Sequence, residues 1–173
     1  MLASPPQEET VGAYVHSQQR VNGPTALILT RQNVRTIKEV PVDVRRNGVL
    51  KGGYILKKED GPLKAIIIAS GSEVGLAWKA AEELGAGIRV VSMPSLSIFD
   101  RQPEAYRNEV LPRSCTKRVA GEAGVSSPWY KYVGLDGKVV SVERFGFSAP
   151  GDIVFKELGM TAENVVKAVK SIL

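Results

Sequence analysis

From residue 52 onward, apolar and polar positions fall into blocks with two distinct periods. Lys64 to Ala69 (KAIIIA) is β-branched and apolar at consecutive positions. A strand with no polar face must be covered on both sides, as in parallel sheets flanked by helices. Ser70-Gly71-Ser72-Glu73 follows, with residue types suited to capping a helix N-terminus. Val74, Ala77, Trp78, Ala81 and Leu84 then recur at helical spacing, and Gly85 and Gly87 end the helix. Ile88 to Met93 is the next strand and closes a parallel, right-handed strand–helix–strand unit.

The same reading extends in both directions. Gly52 to Leu56 predicts a short strand and Asp60-Gly61-Pro62 a turn. Pro94 to Phe99 predicts a loop, and 100–110 a short helix with Pro103 in its first turn. Thr116 to Gly121 and Lys138 to Val142 predict two more strands, separated by a helical turn over 126–133. A helix opens at Ser148-Ala149-Pro150-Gly151-Asp152 and runs to about Leu158. A last one is capped by Thr161, with Val165, Val166, Val169 and Ile172 inward. The expected architecture is a three-layer α/β/α sandwich around a mostly parallel five-stranded sheet with one antiparallel edge strand.

The first 51 residues do not fit that alternation. Residues 8–20 predict a helix, with acidic residues at its start, a basic one at its end, and Val11, Tyr14 and Val15 at helical spacing. Asn22-Gly23-Pro24 breaks it, and Thr25 to Thr30 predicts a buried strand. One helix and one strand cannot make their own core, so this piece is expected to belong to a different domain. Residues 32–51 lack clean periodicity and predict a linker between domains. The expected organisation is 1–31 as the tail of one domain, 32–51 as linker and 52–173 as a second domain.

Composition removes several function classes. Hydrophobic residues make up 43% and charged ones 24%, so the chain can bury an ordinary core. The single cysteine, Cys115, cannot staple the fold and points to no oxidising compartment. One histidine, His16, excludes a multi-histidine metal site built by this chain alone. No apolar run approaches the ~20 residues that span a bilayer, and residues 1–6 lack the pattern of a secretory signal. The net charge of +5 is concentrated in 31–51, where six basic residues face two acidic ones. With no nucleic-acid motif beside it, that excess predicts a charged connecting segment and no nucleic-acid binding.

Candidate chemistry is sparse. Ser70-Gly71-Ser72-Glu73 joins a strand to a helix and suits either an anion or an ordinary cap, but it lacks both glycine-rich nucleotide patterns, and Glu73 would repel a phosphate. No G-x-S-x-G elbow accompanies the lone histidine. Glu122, at a strand end, is open between a general base, an interface group and a satisfied carboxylate. Arg31 directly follows a strand, where the rim of a ligand crevice lies. A guanidinium there suits a phosphate or carboxylate, and a solvated linker arginine is the alternative.

Beyond Leu29 the sequence resembles the transketolase family. Thr30-Arg31-Gln32 is similar to the [ST]-R-Q segment that closes the family's pyrimidine-binding domain, and Gly52-Gly53-Tyr54 to the opening of its third domain. Ala69 to Val74, Val90 to Pro94 with Phe99-Asp100 and Gln102, and Val110-Leu111-Pro112 follow in family order. So do Glu122-Ala123, Trp129 to Tyr132, Phe145 to Pro150 and Gly159-Met160-Thr161. The resemblance implies a ketol transferase that moves two carbons from a ketose phosphate to an aldose phosphate on thiamine diphosphate, with a divalent metal (Mg or Ca) on the diphosphate. It implies a homodimer in the cytoplasm or a plastid, whose third domain packs on the others without holding the cofactor. One substrate-binding residue is carried over: Arg31, for the sugar phosphate. No catalytic, cofactor-binding or metal-binding residue is. The family's R-P-x-D-x-x-E entry survives only as Glu9-Thr10. The expectation is a piece of a longer enzyme, inactive alone and supporting assembly. The alternatives are the C-terminal domain of another thiamine-diphosphate enzyme and a non-enzymatic α/β binding or regulatory module.

Overall fold

The continuous apolar run forms β4 (Ala65–Ala69), buried along its whole length, at the centre of a five-stranded sheet. β5 (Ile88–Ser92) and β6 (Arg118–Glu122) flank it in parallel, and β7 (Lys138–Ser141) lies parallel outside β6. β3 (Tyr54–Lys57) pairs antiparallel with β5 and forms the other edge. The sheet is therefore mostly parallel with one antiparallel edge strand, as the patterning predicts. This computed structural model describes residues 2–4 and 7–173. Met1, Pro5 and Pro6, within the stretch that departs from the family's entry motif, lie outside the described residues.

The two faces of β4 seed two cores. Ala65, Ile67 and Ala69 face α3 (Val74–Leu84) and α8 (Ala162–Lys170), packing with Ala77, Trp78, Val165 and Val169. Ile66 and Ile68 face the opposite layer of α4 (Leu96–Phe99), α5 (Glu104–Val110) and α6 (Tyr130–Val133), packing with Phe99, Val110, Trp129 and Tyr132. Each fully buried isoleucine contributes about 1.5–3 kcal/mol through removal of apolar surface from water. α7 (Gly151–Glu157) lies ahead of α8, and Thr161 caps α8 by accepting from the Asn164 backbone N–H at 3.2 Å. Arg89 is 7% exposed on β5. Its fork donates to both Glu59 carboxylate oxygens at 2.6 and 2.7 Å and to the carbonyls of Glu109 and Val110.

Three local expectations between residues 32 and 99 differ from the structure. The stretch expected as linker contains α2 (Val42–Leu50). Its inward residues are Arg45, Gly48 and Val49, so only one carries an apolar side chain, and packing rather than an apolar stripe selects the helix. The expected loop 94–99 contains the short α4, with Phe99 buried. Ser70 makes no side-chain cap: a 3₁₀ turn over Gly71–Glu73 leads into α3, and the Ser70 hydroxyl donates to Glu122 at 2.7 Å.

The N-terminal piece is a helix and a two-stranded sheet. α1 spans Gln7–Gln19, and β2 (Leu27–Leu29) pairs in parallel with β1 (Leu2–Ser4) alone among the described residues. β2 was expected to be buried, but Ile28 and Leu29, on opposite faces of the strand, are each 50% exposed, because β2 pairs only with β1 among the described residues. On α1 the inward face is Glu9, Gly12 and Ala13, while Val11, Tyr14 and Val15 are exposed.

Candidate functional site

The N-terminal piece is fastened to the α/β domain by one buried carboxylate. Glu9, on the first turn of α1, is fully buried. Its Oε1 accepts from the Tyr54 hydroxyl of β3 at 2.7 Å and from the Ser92 hydroxyl of β5 at 2.6 Å. Its Oε2 has no partner among the described residues, and neither does Nη1 of buried Arg45, whose charge acts on Glu9 from α2. Burial outweighs these favourable contacts and pushes the carboxyl up to about 7. Tyr54 is pushed up as well, by its own burial and then by the carboxylate it serves. At the rim, Arg46 of α2 pairs with Glu8 at 2.6 Å.

Two glycines make this junction possible. A Cβ on Gly48 of α2 would sit 2.3 Å from the Tyr54 ring, so the bare backbone lets the ring lie on the helix and aim its hydroxyl at Glu9. Gly52 turns the chain from α2 into β3 at φ +80°. There its N–H donates to the Val49 carbonyl, and its own carbonyl accepts from Ser95, both at 2.9 Å.

Arg31 lies just beyond the C-terminal end of β2, exposed, with no hydrogen bond or ion pair to its side chain among the described residues. The preceding Thr30 hydroxyl bonds the Gln32 carbonyl at 3.2 Å and tightens the bend. From there the chain runs into the main core through Ile37 and Val40. The exit of β2 is thus tied to the α/β domain on both sides, by α1 and by residues 37–40.

The second strand-end crevice is acidic. β4 and β6 diverge in connectivity, since the chain leaves β4 for β5 and returns to the other side at β6. Open α/β sheets place ligands outside such a point. Here it holds Glu122, bonded by Ser70, and Glu73, bonded by the Ser72 hydroxyl at 2.6 Å. Burial pushes Glu73 up to about 7, and the neighbouring Glu122 adds to the rise. Glu122 accepts from Ser70, and burial pushes its carboxyl up as well. Cys115 is buried with its thiol pushed up by burial, the opposite of an activated nucleophile. His16 is held low by partial burial and by Arg20 and Arg101. Among the described residues no group of three or more His, Cys, Asp or Glu side chains is arranged to hold a metal. Nor is any helix among the described residues long and apolar enough to cross a membrane.

Residues 52–161 match the family described as the Transketolase-like TK C-terminal domain. The chain belongs to the transketolase family. It is 57% identical over 164 residues to a transketolase from Physarum polycephalum, which covers 95% of this chain and 25% of that protein. In structure it is similar to a transketolase from Leishmania mexicana, with TM-score 0.89 and 37% identity over 99% of this chain and 24% of that one. A transketolase from Pichia stipitis solved with sedoheptulose-7-phosphate gives TM-score 0.87 and 31% identity, with the same coverage of 99% and 24%. The chain thus spans about a quarter of the length of the relatives it matches.

Within the transketolase family framework, the resemblance at Gly52-Gly53-Tyr54 acquires a structural reason. Gly52 makes the turn, and Tyr54 receives the helix of the preceding piece. Sequence reasoning missed Glu9 as the anchor, because an acidic residue in a first helical turn normally complements the helix dipole from the solvent side. The available signal was its place in the inward set Glu9, Gly12, Ala13.

Proposed function

We propose that this chain is the C-terminal portion of a transketolase, which moves a two-carbon ketol unit from a ketose phosphate to an aldose phosphate. The observation that carries the proposal is Arg31. It stands unpartnered at the end of a strand in a chain that aligns over 95% of its length with a transketolase. A fixed fork of donors matches the oxygens of a phosphate dianion, and binding energy from that remote group helps orient the reacting carbons. Residues 1–31 act as the tail of the pyrimidine-binding domain, 32–51 as a connection that includes α2, and 52–173 as the supporting domain. Through Glu9, Tyr54 and Ser92 that domain braces α1, and with it the strand that carries Arg31.

Thiamine diphosphate with a divalent metal supplies the carbanion chemistry when bound to the complete enzyme. The residues present here do not suit either group: no metal-ligand cluster exists among the described residues, and the strand-end crevice is acidic. Both belong to other parts of the enzyme. The half-exposed faces of β2 and α1 suit packing against the remaining domains of a homodimer, in the cytoplasm or a plastid.

In the complete enzyme, Arg31→Ala is expected to raise KM for a ketose phosphate roughly tenfold to a hundredfold, the worth of a charge-assisted contact. KM for an unphosphorylated ketose should barely move. Equal KM values for the phosphorylated donor in wild type and variant would sink the assignment. Ketol transfer by this chain alone, above background, would overturn its purely supporting role.

A further inference from the structure

Between α5 and α6 lies a cavity of about 220 Å³ in which the charges do not balance. Four cations line it (Arg107, Arg113, Arg118 and Lys131) against two carboxylates (Asp100 and Glu104). Both carboxylates are already engaged. Glu104 pairs with Arg113 at 2.6 Å. Asp100 takes Lys131 at 2.7 Å and the Tyr132 hydroxyl at 2.9 Å. Arg118 is engaged as well, its guanidinium donating to the carbonyls of Cys115, Tyr132, Leu111 and Pro112 at 2.7–3.3 Å.

Arg107 is left over. Its side chain has no hydrogen bond or ion pair among the described residues, and its Nε is buried without a partner. A desolvated N–H on a charged group is costly unless an acceptor meets it. Beside it, the Asn108 side-chain Oδ1 accepts the Arg113 backbone N–H at 3.0 Å, which leaves the Asn108 side-chain NH2 as a donor. Phe99 and Tyr132, 6.3 Å apart between ring centres, give the cavity an apolar wall. Donors therefore exceed acceptors, the net lining charge is +2, and the Arg107 guanidinium has no protein acceptor among the described residues.

We propose that this cavity is a binding site for the phosphate group of a small phosphorylated metabolite, with Arg107 as its bidentate donor and Asn108 and Lys131 beside it. A phosphate dianion balances the lining charge, matches the guanidinium fork, and is small enough for the volume. The organic part of the ligand lies against Phe99 and Tyr132. Arg31 does not line this cavity, so the site is separate from the strand end discussed above and stands independently of that reading.

The test is a titration of the whole chain with inorganic phosphate at constant ionic strength, followed by calorimetry and by amide chemical shifts at residues 104–113. Saturable one-to-one binding is expected, weakened roughly tenfold or more by Arg107→Gln, partly restored in Arg107→Lys, and unchanged by Arg31→Ala. Asn108→Ala, at an exposed position, gives a second variant that leaves the core intact and should weaken binding less. Absence of saturable binding at tens of millimolar phosphate overturns the proposal, as does equal affinity in Arg107→Gln. Loss of binding in Arg31→Ala instead would assign the phosphate to the strand end. The same titration on the complete enzyme must retain its dependence on Arg107. If the response vanishes there, Arg107 is met by another part of the enzyme and the site is not a ligand site.

Discussion

Gly52→Ala is expected to be the most damaging small substitution in this chain, at about 3–5 kcal/mol. Two costs combine. Gly52 sits at φ +80°, where a Cβ crowds the following carbonyl by about 1–2 kcal/mol. The added carbon would also lie 2.4 Å from the Phe99 backbone N and 2.6 Å from the Ser95 carbonyl oxygen. Those are main-chain atoms fixed at the start and end of α4, so neither can swing aside as a side chain would. Relief would have to come from moving α4 off the turn, which breaks the 2.9 Å bond from Ser95 N–H to the Gly52 carbonyl. Gly61 provides the control: its φ is +76°, yet nothing lies within 4 Å of a Cβ there. Gly61→Ala should cost only the conformational part, about 1–2 kcal/mol. Urea melts of both variants separate the terms. A Gly52→Ala loss no larger than that of Gly61→Ala would refute the crowding argument.

Glu9→Gln should flatten the dependence of stability on pH. Three elements face this carboxyl: Tyr54 from β3, Ser92 from β5 and the Arg45 charge from α2. Its folded value is pushed above the ordinary 4.5, to about 7. Below about pH 4.5 the group is protonated whether the chain is folded or not, and no charge is buried. Between 4.5 and about 7 the folded protein keeps a proton that the unfolded chain has released, so stability falls as pH rises. Above that range the carboxylate is buried in its charged form, at a cost of about 3 kcal/mol. Gln keeps the acceptor oxygen for Tyr54 and Ser92 and removes the charge. Between pH 5 and pH 8 the wild-type chain should therefore lose about 2–3 kcal/mol more than Glu9→Gln in urea melts. Some slope remains in the variant, because Glu73 titrates in the same direction. Parallel stability curves for the two proteins would show that Glu9 is not the titrating anchor.

The α/β domain was legible in the sequence because its signals are redundant. β4 is apolar at every position, and α3 carries an unbroken apolar stripe, so neither element has a competing assignment. The junction was not legible, because its inward surface mixes a small apolar cluster of Ala13, Val49 and Ile98 with polar groups and bare backbone. α2 turns Arg45, Gly48 and Val49 inward, which resembles no amphipathic pattern. α1 hides a carboxylate and leaves Val11, Tyr14 and Val15 outside. β2 has the composition of a buried strand, yet half of Ile28 and Leu29 stays exposed, because burial is a property of the neighbours and the sequence of one strand does not supply them. Arg31 was visible by position alone only as one of two readings, and the role proposed for it rests on the resemblance to transketolases.

The distance along the chain between Glu9 and its partners also sets an order of events during synthesis. Tyr54 follows it by 45 residues and Ser92 by 83. At about 5–20 residues per second, a ribosome delivers the last of these roughly 4–17 seconds after Glu9. Until then the carboxylate lacks its Ser92 partner. When β5 joins the sheet, the same group gives up its water and, below about pH 7, takes up a proton as it seats. The helix made first is thus fastened last, once the sheet is complete.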